Sequence, residues 1–164
     1  MSVSADIWRS WRAGPGGTLR GFLDDGASET RAFAFLMGGC ALVWLSQWPR
    51  FRLEALQSPE EGPDFVQLAG VGMVVWLMVL PLAFYLVAAL THAASRALGG
   101  RGPASATRLA LFWSWLAAAP LALLSGVAWA FTGPSRLTNV VAVAWLVGFA
   151  VLWALSQREA RRGP

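Results

Sequence analysis

The sequence predicts an all-α membrane protein: a polytopic four-transmembrane-helix bundle with an N-terminal interfacial amphipathic segment. Three observations lead to this prediction. Hydrophobic residues make up 56% of the 164 positions and charged residues 13%, about half the charged share of a soluble domain. Four long apolar runs contain no Asp, Glu or Arg, and the chain has no Lys. Ten Trp residues match the enrichment of this residue at bilayer interfaces.

Residues 1–31 form a polar segment that we expect on the cytoplasmic side. Ile7, Trp8 and Trp11 share one helical face, and the run Gly-Pro-Gly-Gly at 14–17 must interrupt any helix. Two short amphipathic turns on either side of this break would lie flat among the lipid headgroups. A solvated, partly disordered tail is the alternative that the sequence leaves open.

The predicted spans follow in order over residues 32–48, 65–91, 109–132 and 137–156. The first is only just long enough to cross the hydrocarbon, and we expect Pro49 to end it before a polar loop over 49–64. The second has 27 uncharged residues, too many to stand upright, so Pro81 is expected to bend it. Pro120 places a similar bend in the third span.

The distribution of arginine predicts the orientation. Residues 1–31, the basic loop 92–108 and the tail 157–164 together hold ten Arg, whereas the opposite side holds three. The positive-inside rule therefore predicts that both termini lie in the cytoplasm.

Several function classes are disfavoured by what the chain lacks. Proton relays and ion-coupled carriers use ionisable groups inside the membrane, and the spans have none. With His92 and Cys40 as the single residues of their types, no cluster of metal ligands is expected. The Arg residues form no stripe interleaved with aromatics, as nucleic-acid binding requires. We predict a non-enzymatic protein without metal or cofactor that binds no nucleic acid.

The candidates for binding lipid or a partner are basic residues on the predicted cytoplasmic side. The 92–108 loop contains no acidic residue, and Arg clusters beside membrane spans attract anionic headgroups. The candidates are His92, Arg96, Arg101, Arg108, Arg158, Arg161 and Arg162. Charge that only orients the chain is the alternative, with His92 as an ordinary residue at a helix end.

A ridge of small residues runs along the third span at every fourth position. Such ridges let helix backbones approach closely, and packing drives helix association in lipid. The ridge predicts either a central helix or a seam with another membrane protein or a second copy; a merely Ala-rich span is the alternative. Its members are Ala110, Ser114, Ala118, Ala122, Gly126 and Ala130.

A small transporter or lipid-handling protein is the second hypothesis. The pattern Trp-Leu-x-x-x-Pro-Leu-Ala occurs at 76–83 and again at 115–122, and paired interrupted helices are typical of transporters. Coincidence in a biased composition is the simpler explanation of the repeat. A polar cavity would favour transport if it were lined by Gln67, Tyr85, Ser114 and Ser125.

The run Leu-Thr-His-Ala-Ala-Ser-Arg-Ala-Leu-Gly-Gly-Arg-Gly at 90–102 is followed by Ala-Thr-Arg-Leu-Ala at 106–110 and by Pro120-Leu121. This order resembles the bacterial branch of the Yip1 domain family, in its short alphaproteobacterial form. The resemblance implies a polytopic helical bundle. Eukaryotic relatives act in vesicle traffic and usually have five spans, so their function is not carried over to a chain with four. The favoured hypothesis is an accessory or membrane-organising protein that packs against lipids or membrane partners.

Overall fold

The computed structural model describes residues 3–26, 28–57 and 62–162. Every regular element in this part of the chain is helical, which confirms the predicted all-α class. A π-helical turn, Val75–Val79, joins the helix Phe65–Val74 to the helix Leu80–Ala97. The helices are α1 (Val3–Ala13), α2 (Gly16–Asp24), α3 (Glu29–Ser46), α4 (Trp48–Gln57), α5 (Phe65–Val74), α6 (Leu80–Ala97), α7 (Ala104–Thr132) and α8 (Arg136–Arg162).

Four helical rods are long and apolar enough to cross a bilayer, and they differ sharply in burial. Along its most apolar stretch, Ala104–Thr132 is 72% buried, whereas Phe65–Ala97 is 11% and Arg136–Arg161 is 17% buried. Helix α7 packs along α3 and α8 and more briefly on α6. It is therefore the central helix, and the rods around it keep long apolar faces exposed.

The small-residue ridge of α7 lies mainly inside the fold. Its first four members are completely buried and Gly126 is buried, whereas Ala130 is exposed. A side chain at Gly126 would overlap the backbone of Ser46, including its carbonyl oxygen. The ridge thus serves close packing within one chain, and only its far end reaches the surface.

The first rod, Glu29–Gln57, consists of α3, which ends at Ser46 near the predicted end of the first span, and α4, which begins at Trp48. The prediction of a loop from residue 49 is wrong for residues 49–57. The Gln47 N–H bonds to the Trp44 carbonyl and the Phe51 N–H to the Gln47 carbonyl, each at 3.0 Å. Proline is tolerated in the first turn of a helix, where its missing N–H costs nothing. Residues 49–57 are therefore helical rather than part of a loop, while 58–61 fall outside the described residues.

The second rod passes its proline through a widened turn. Pro81 cannot donate to the carbonyl four residues earlier, and just before it the Leu80 N–H bonds to the Val75 carbonyl, five residues back. The rod begins with a capping box: Asp64 Oδ1 accepts from the Gln67 N–H at 2.7 Å, and Gln67 Oε1 accepts from the Asp64 N–H at 3.3 Å. Gln67 therefore caps the N-terminal end of α5.

Helices α1 and α2 form a hairpin that packs on α7 and α8. The chain reverses at Gly14, whose φ of 83° suits glycine. The inward face of α1 carries Asp6 and Ser10, both buried, whereas Trp8 is 62% exposed. Ser10 Oγ accepts from the indole N–H of the buried Trp113 at 3.2 Å. The hairpin is anchored by polar contacts that the apolar face of α1 did not indicate.

Trp11 anchors the hairpin one turn before Pro120 of the central helix. Pro120 has no N–H to donate to the Leu116 carbonyl, and the next carbonyl, that of Ala117, accepts from Trp11 Nε1 at 2.9 Å. Gly148 of α8 leaves room for the indole, since a Cβ there would stand 2.8 Å from Trp11 Cη2. Trp11 therefore ties α1 to α7 beside the proline.

Replacing Gly126 by alanine should destabilise the fold by about 1–3 kcal/mol, because the new Cβ would push α3 away from α7. Thermal unfolding in detergent micelles measures the loss as a lower Tm. Gly70→Ala is the matched control: its Cβ would meet no described atom within 4 Å, and alanine favours helix. Equal losses of Tm in the two variants would contradict the close approach.

Replacing Trp11 by phenylalanine should loosen the hairpin without unfolding the rods. Loss of one hydrogen bond, worth about 1 kcal/mol, predicts roughly fivefold faster amide exchange over residues 3–24. Hydrogen exchange followed by mass spectrometry measures this rate. Trp8→Phe, at an exposed position of the same helix, should leave it unchanged, and equal acceleration in both variants would refute the anchoring role of Trp11.

Candidate functional site

A groove opens between α6 and α8 because both helices pack on α7 more than on each other. It lies at the end of the fold where α6 leads into α7 and where α8 ends, which we term the basic end. The cavity measures about 320 Å³. The residues that line this α6–α8 groove are Thr91 from α6 and Trp153, Ala154, Gln157, Arg158 and Arg161 from α8.

Two polar atoms of the groove are buried without a partner among the described residues. Gln157 is 6% exposed; its Nε2 donates to the Thr107 carbonyl at 3.1 Å, but its Oε1 accepts no hydrogen bond. The indole N–H of Trp153 also has no acceptor. A buried polar group left unsatisfied costs about 1–3 kcal/mol. Two residues that line the groove therefore each carry one buried polar atom that no described residue satisfies.

Aromatic rings form a strip that joins α6, α7 and α8 beyond this polar mouth. The Phe149 ring lies parallel to that of Trp153 with centroids 6.0 Å apart. Trp115 contacts Phe149 at 5.3 Å and Phe84 at 4.7 Å. Phe84 belongs to α6 and Phe149 to α8, so the rings bridge the two helices. The strip gives the groove an apolar continuation toward the middle of the fold.

The connection between α6 and α7 adds Arg101 to the groove's rim. The Arg101 N–H bonds to the Arg161 carbonyl at 3.3 Å, which satisfies one of the free carbonyls at the end of α8. Gly102 lies directly against the Ala160 carbonyl, so that any Cβ would overlap it. Glycine at 102 thus lets the basic connection rest on α8 and brings Arg101 beside Arg161.

The remaining basic candidates are placed differently. Arg108 forms two hydrogen bonds with the Glu29 carboxylate, one of them from Nε at 3.2 Å, and so ties α7 to α3. Arg96 is exposed near the end of α6. His92 is half-buried beside Thr91, and its Nδ1 has no partner in the described chain. Arg162 ends α8, and its side chain lies outside the described part.

Ion pairing separates the groove arginines from the others. Arg158 and Arg161 line the groove, and no acidic residue does. Among the described residues, no salt bridge involves Arg96, Arg101, Arg158 or Arg161. The groove and its rim therefore carry positive charge that the fold itself does not neutralise.

The residues that would favour a transport path lie apart and are bonded within the protein. Ser114 Oγ donates to the Ala110 carbonyl at 2.7 Å and forms a second hydrogen bond, 3.0 Å long, with Ser156 Oγ, and Ser125 Oγ donates to the Ala122 carbonyl. Tyr85 packs edge-on against Phe112, and Gln67 caps α5. Their positions give no support to a shared polar cavity.

Trp153 and Gln157 were not among the residues predicted from the sequence. The signal that would have found them is a spacing of four: Trp153, Gln157 and Arg161 share one face of α8 and present an indole, an amide and a guanidinium in succession. Grouping the arginines by charge alone does not reveal this helical face.

Comparison with known proteins leaves the geometry of the groove as the basis for assigning a function. The groove combines unneutralised arginines, two unsatisfied buried polar atoms and an aromatic strip. No family model, no curated protein and no solved structure matches this chain.

Proposed function

We propose that the chain is a non-enzymatic integral membrane protein that holds an anionic phospholipid in the α6–α8 groove. Through this lipid it organises the bilayer around itself or around a membrane partner to which it is an accessory. The observation that carries the proposal is the pair of unsatisfied atoms, Trp153 Nε1 and Gln157 Oε1, beside Arg158 and Arg161.

The chemistry of the groove matches a headgroup with both charge and hydroxyl groups. The two guanidiniums bind a phosphodiester through charge-assisted hydrogen bonds, and the Trp153 indole N–H donates to an ester carbonyl. Gln157 Oε1 needs a donor, which a glycerol hydroxyl of phosphatidylglycerol supplies. The aromatic strip then accommodates the upper part of an acyl chain.

The proposed setting is a bacterial inner membrane, crossed four times, with both termini in the cytoplasm. Four helical rods of sufficient length and apolarity support this setting, as does the excess of Arg at the basic end. The resemblance of residues 90–102 to the bacterial Yip1 domain family supports a polytopic protein. The apolar faces left exposed on α5, α6 and α8 suit lipid, another membrane protein or a second copy.

Replacing Arg158 and Arg161 together by Gln should lower the affinity for phosphatidylglycerol at least about tenfold, since each Arg near an anionic surface contributes about 1 kcal/mol. Native mass spectrometry of delipidated protein, titrated with the lipid in detergent, measures the dissociation constant. Arg52→Gln with Arg136→Gln is the matched control, because it removes equal charge outside the groove. Equal losses of lipid affinity in the two double variants would indicate nonspecific electrostatic attraction and would refute binding in the groove.

Trp153→Phe provides the sharper test of the same site. It removes the unpartnered N–H, so phosphatidylglycerol should bind about fivefold more weakly while Tm stays unchanged. Trp145→Phe is the matched control. It removes another buried indole N–H without a partner in the described chain, but Trp145 does not line the groove. Unaltered lipid affinity in Trp153→Phe would overturn the proposed contact.

The orientation has its own test, in a variant whose single cysteine, Cys40, is replaced by Ala. Leu98→Cys, at a position 75% exposed near the basic end, should react with an impermeant maleimide only after the membrane is permeabilised. Pro134→Cys, in the turn between α7 and α8, should react in intact spheroplasts. Labelling of both positions from one face would refute four crossings with this orientation.

A further inference from the structure

A second cavity, of about 510 Å³, lies between the N-terminal hairpin and α3. This volume is within the range of small-molecule sites. Three helices contribute to it, and none of its lining residues belongs to the α6–α8 groove. The lining of this hairpin cavity is Val3, Asp6 and Arg9 from α1, Gly17, Thr18, Gly21, Phe22 and Asp25 from α2 and its end, and Arg31 and Phe35 from α3.

Two glycines keep the hairpin cavity open. Gly17 and Gly21 lie one turn apart on α2, and a Cβ at either position would meet no described atom within 4 Å. Neither has a positive φ. Each glycine costs a helix about 1 kcal/mol relative to alanine, yet neither backbone conformation nor close packing requires them. Both glycines line the cavity, so side chains at these positions would narrow it.

Buried polar groups face this space. Thr18 is 5% exposed, and its Oγ1 has no hydrogen-bond partner among the described residues. Asp6 is also 5% exposed, and such a carboxylate is rarely buried without compensation. Together they give the cavity a hydroxyl and a carboxylate that a ligand can satisfy.

Two loose ion pairs complete the lining. Arg9 contacts Asp6 at 3.3 Å, and Arg31 contacts Asp25 at 3.3 Å. Charge-assisted hydrogen bonds between such groups are normally 2.7–2.9 Å long, and the nearby pair Arg20–Glu159 reaches 2.7 Å. The cavity's guanidiniums and carboxylates therefore retain capacity for a ligand, and their charges balance.

We infer that the hairpin cavity binds a small zwitterion that carries a primary ammonium and a phosphate. The ammonium group donates to the carboxylates of Asp6 and Asp25, and the phosphate accepts from Arg9, Arg31 and the Thr18 hydroxyl. An equal number of acidic and basic groups favours a neutral ligand over an anion, in contrast to the groove. The chemistry fits the phosphoethanolamine unit, either as a phospholipid headgroup or as a soluble molecule.

The test measures binding of phosphatidylethanolamine to the delipidated full chain by native mass spectrometry. Gly21→Leu should fill the cavity and lower the affinity at least about tenfold. Gly70→Leu is the matched control, because position 70 is equally open but lies on α5; its affinity should match that of the unmodified protein. Equal binding by all three proteins would overturn the inference.

Thr18→Val keeps the inference testable if Gly21→Leu fails to fold. Valine preserves the shape of threonine and removes a hydroxyl that the protein leaves unpaired, so Tm should stay the same or rise. The affinity for phosphatidylethanolamine should fall about fivefold at the same time. A lower Tm with unchanged affinity would mean that Thr18 serves the fold alone, and would overturn its role in binding.

Two further ligands identify the source and the chemistry. Binding of soluble phosphoethanolamine that competes with the lipid would indicate a free ligand, whereas binding of the lipid alone would indicate a headgroup; both support the zwitterion. Phosphatidylcholine has no ammonium N–H and should bind at least about tenfold more weakly; equal affinity would refute recognition by Asp6 and Asp25. Arg158→Gln with Arg161→Gln should leave phosphatidylethanolamine binding unchanged, so failure at one site is distinguishable from failure at the other.

Discussion

The close approach of α7 to its neighbours is the constraint on which the rest of the fold depends. In the proposed bilayer setting, apolar side chains gain little by leaving lipid for another apolar surface, so tight packing holds the helices together. Gly126 lets α7 touch the backbone of Ser46, and Gly39 of α3 lies against Trp115 of α7, where a Cβ would stand 2.5 Å from the indole Cδ1. Because α7 occupies the centre, α6 and α8 both pack on it and have few contacts with each other. The groove lies between them.

The two candidate sites use the same basic end in opposite ways. In the groove, arginines from α8 form no salt bridge among the described residues and lie beside an indole N–H and an amide oxygen without a described partner. In the hairpin cavity, each arginine has a carboxylate within reach, and the net charge of the lining is zero. A count of arginines treats these regions alike, whereas their local surroundings differ in net charge, and for this reason we propose different ligands for them.

The sequence was sufficient to predict features that depend on local composition and spacing. Uncharged runs predicted four long helices, and the run at 14–17 predicted the break between α1 and α2. Features that depend on distant partners were not predictable in this way. The continuation past Pro49 needs the hydrogen bonds around Gln47, and the hairpin is anchored where Trp11 meets Ala117, 106 positions along the chain. The groove likewise forms only where α6 and α8 lie side by side, so a binding role for Gln157 was not predictable from the sequence.

The anchoring of Trp11 has a consequence for biosynthesis. The hairpin leaves the ribosome before the surface that receives it, since that surface includes Gly148 and Glu159 of α8. At about 5–20 residues per second, roughly 7–27 s separate the appearance of α2 from that of Glu159. During that interval Trp11 lacks the part of its packing surface that α8 provides. The hairpin therefore reaches its final position only after α8 has been made.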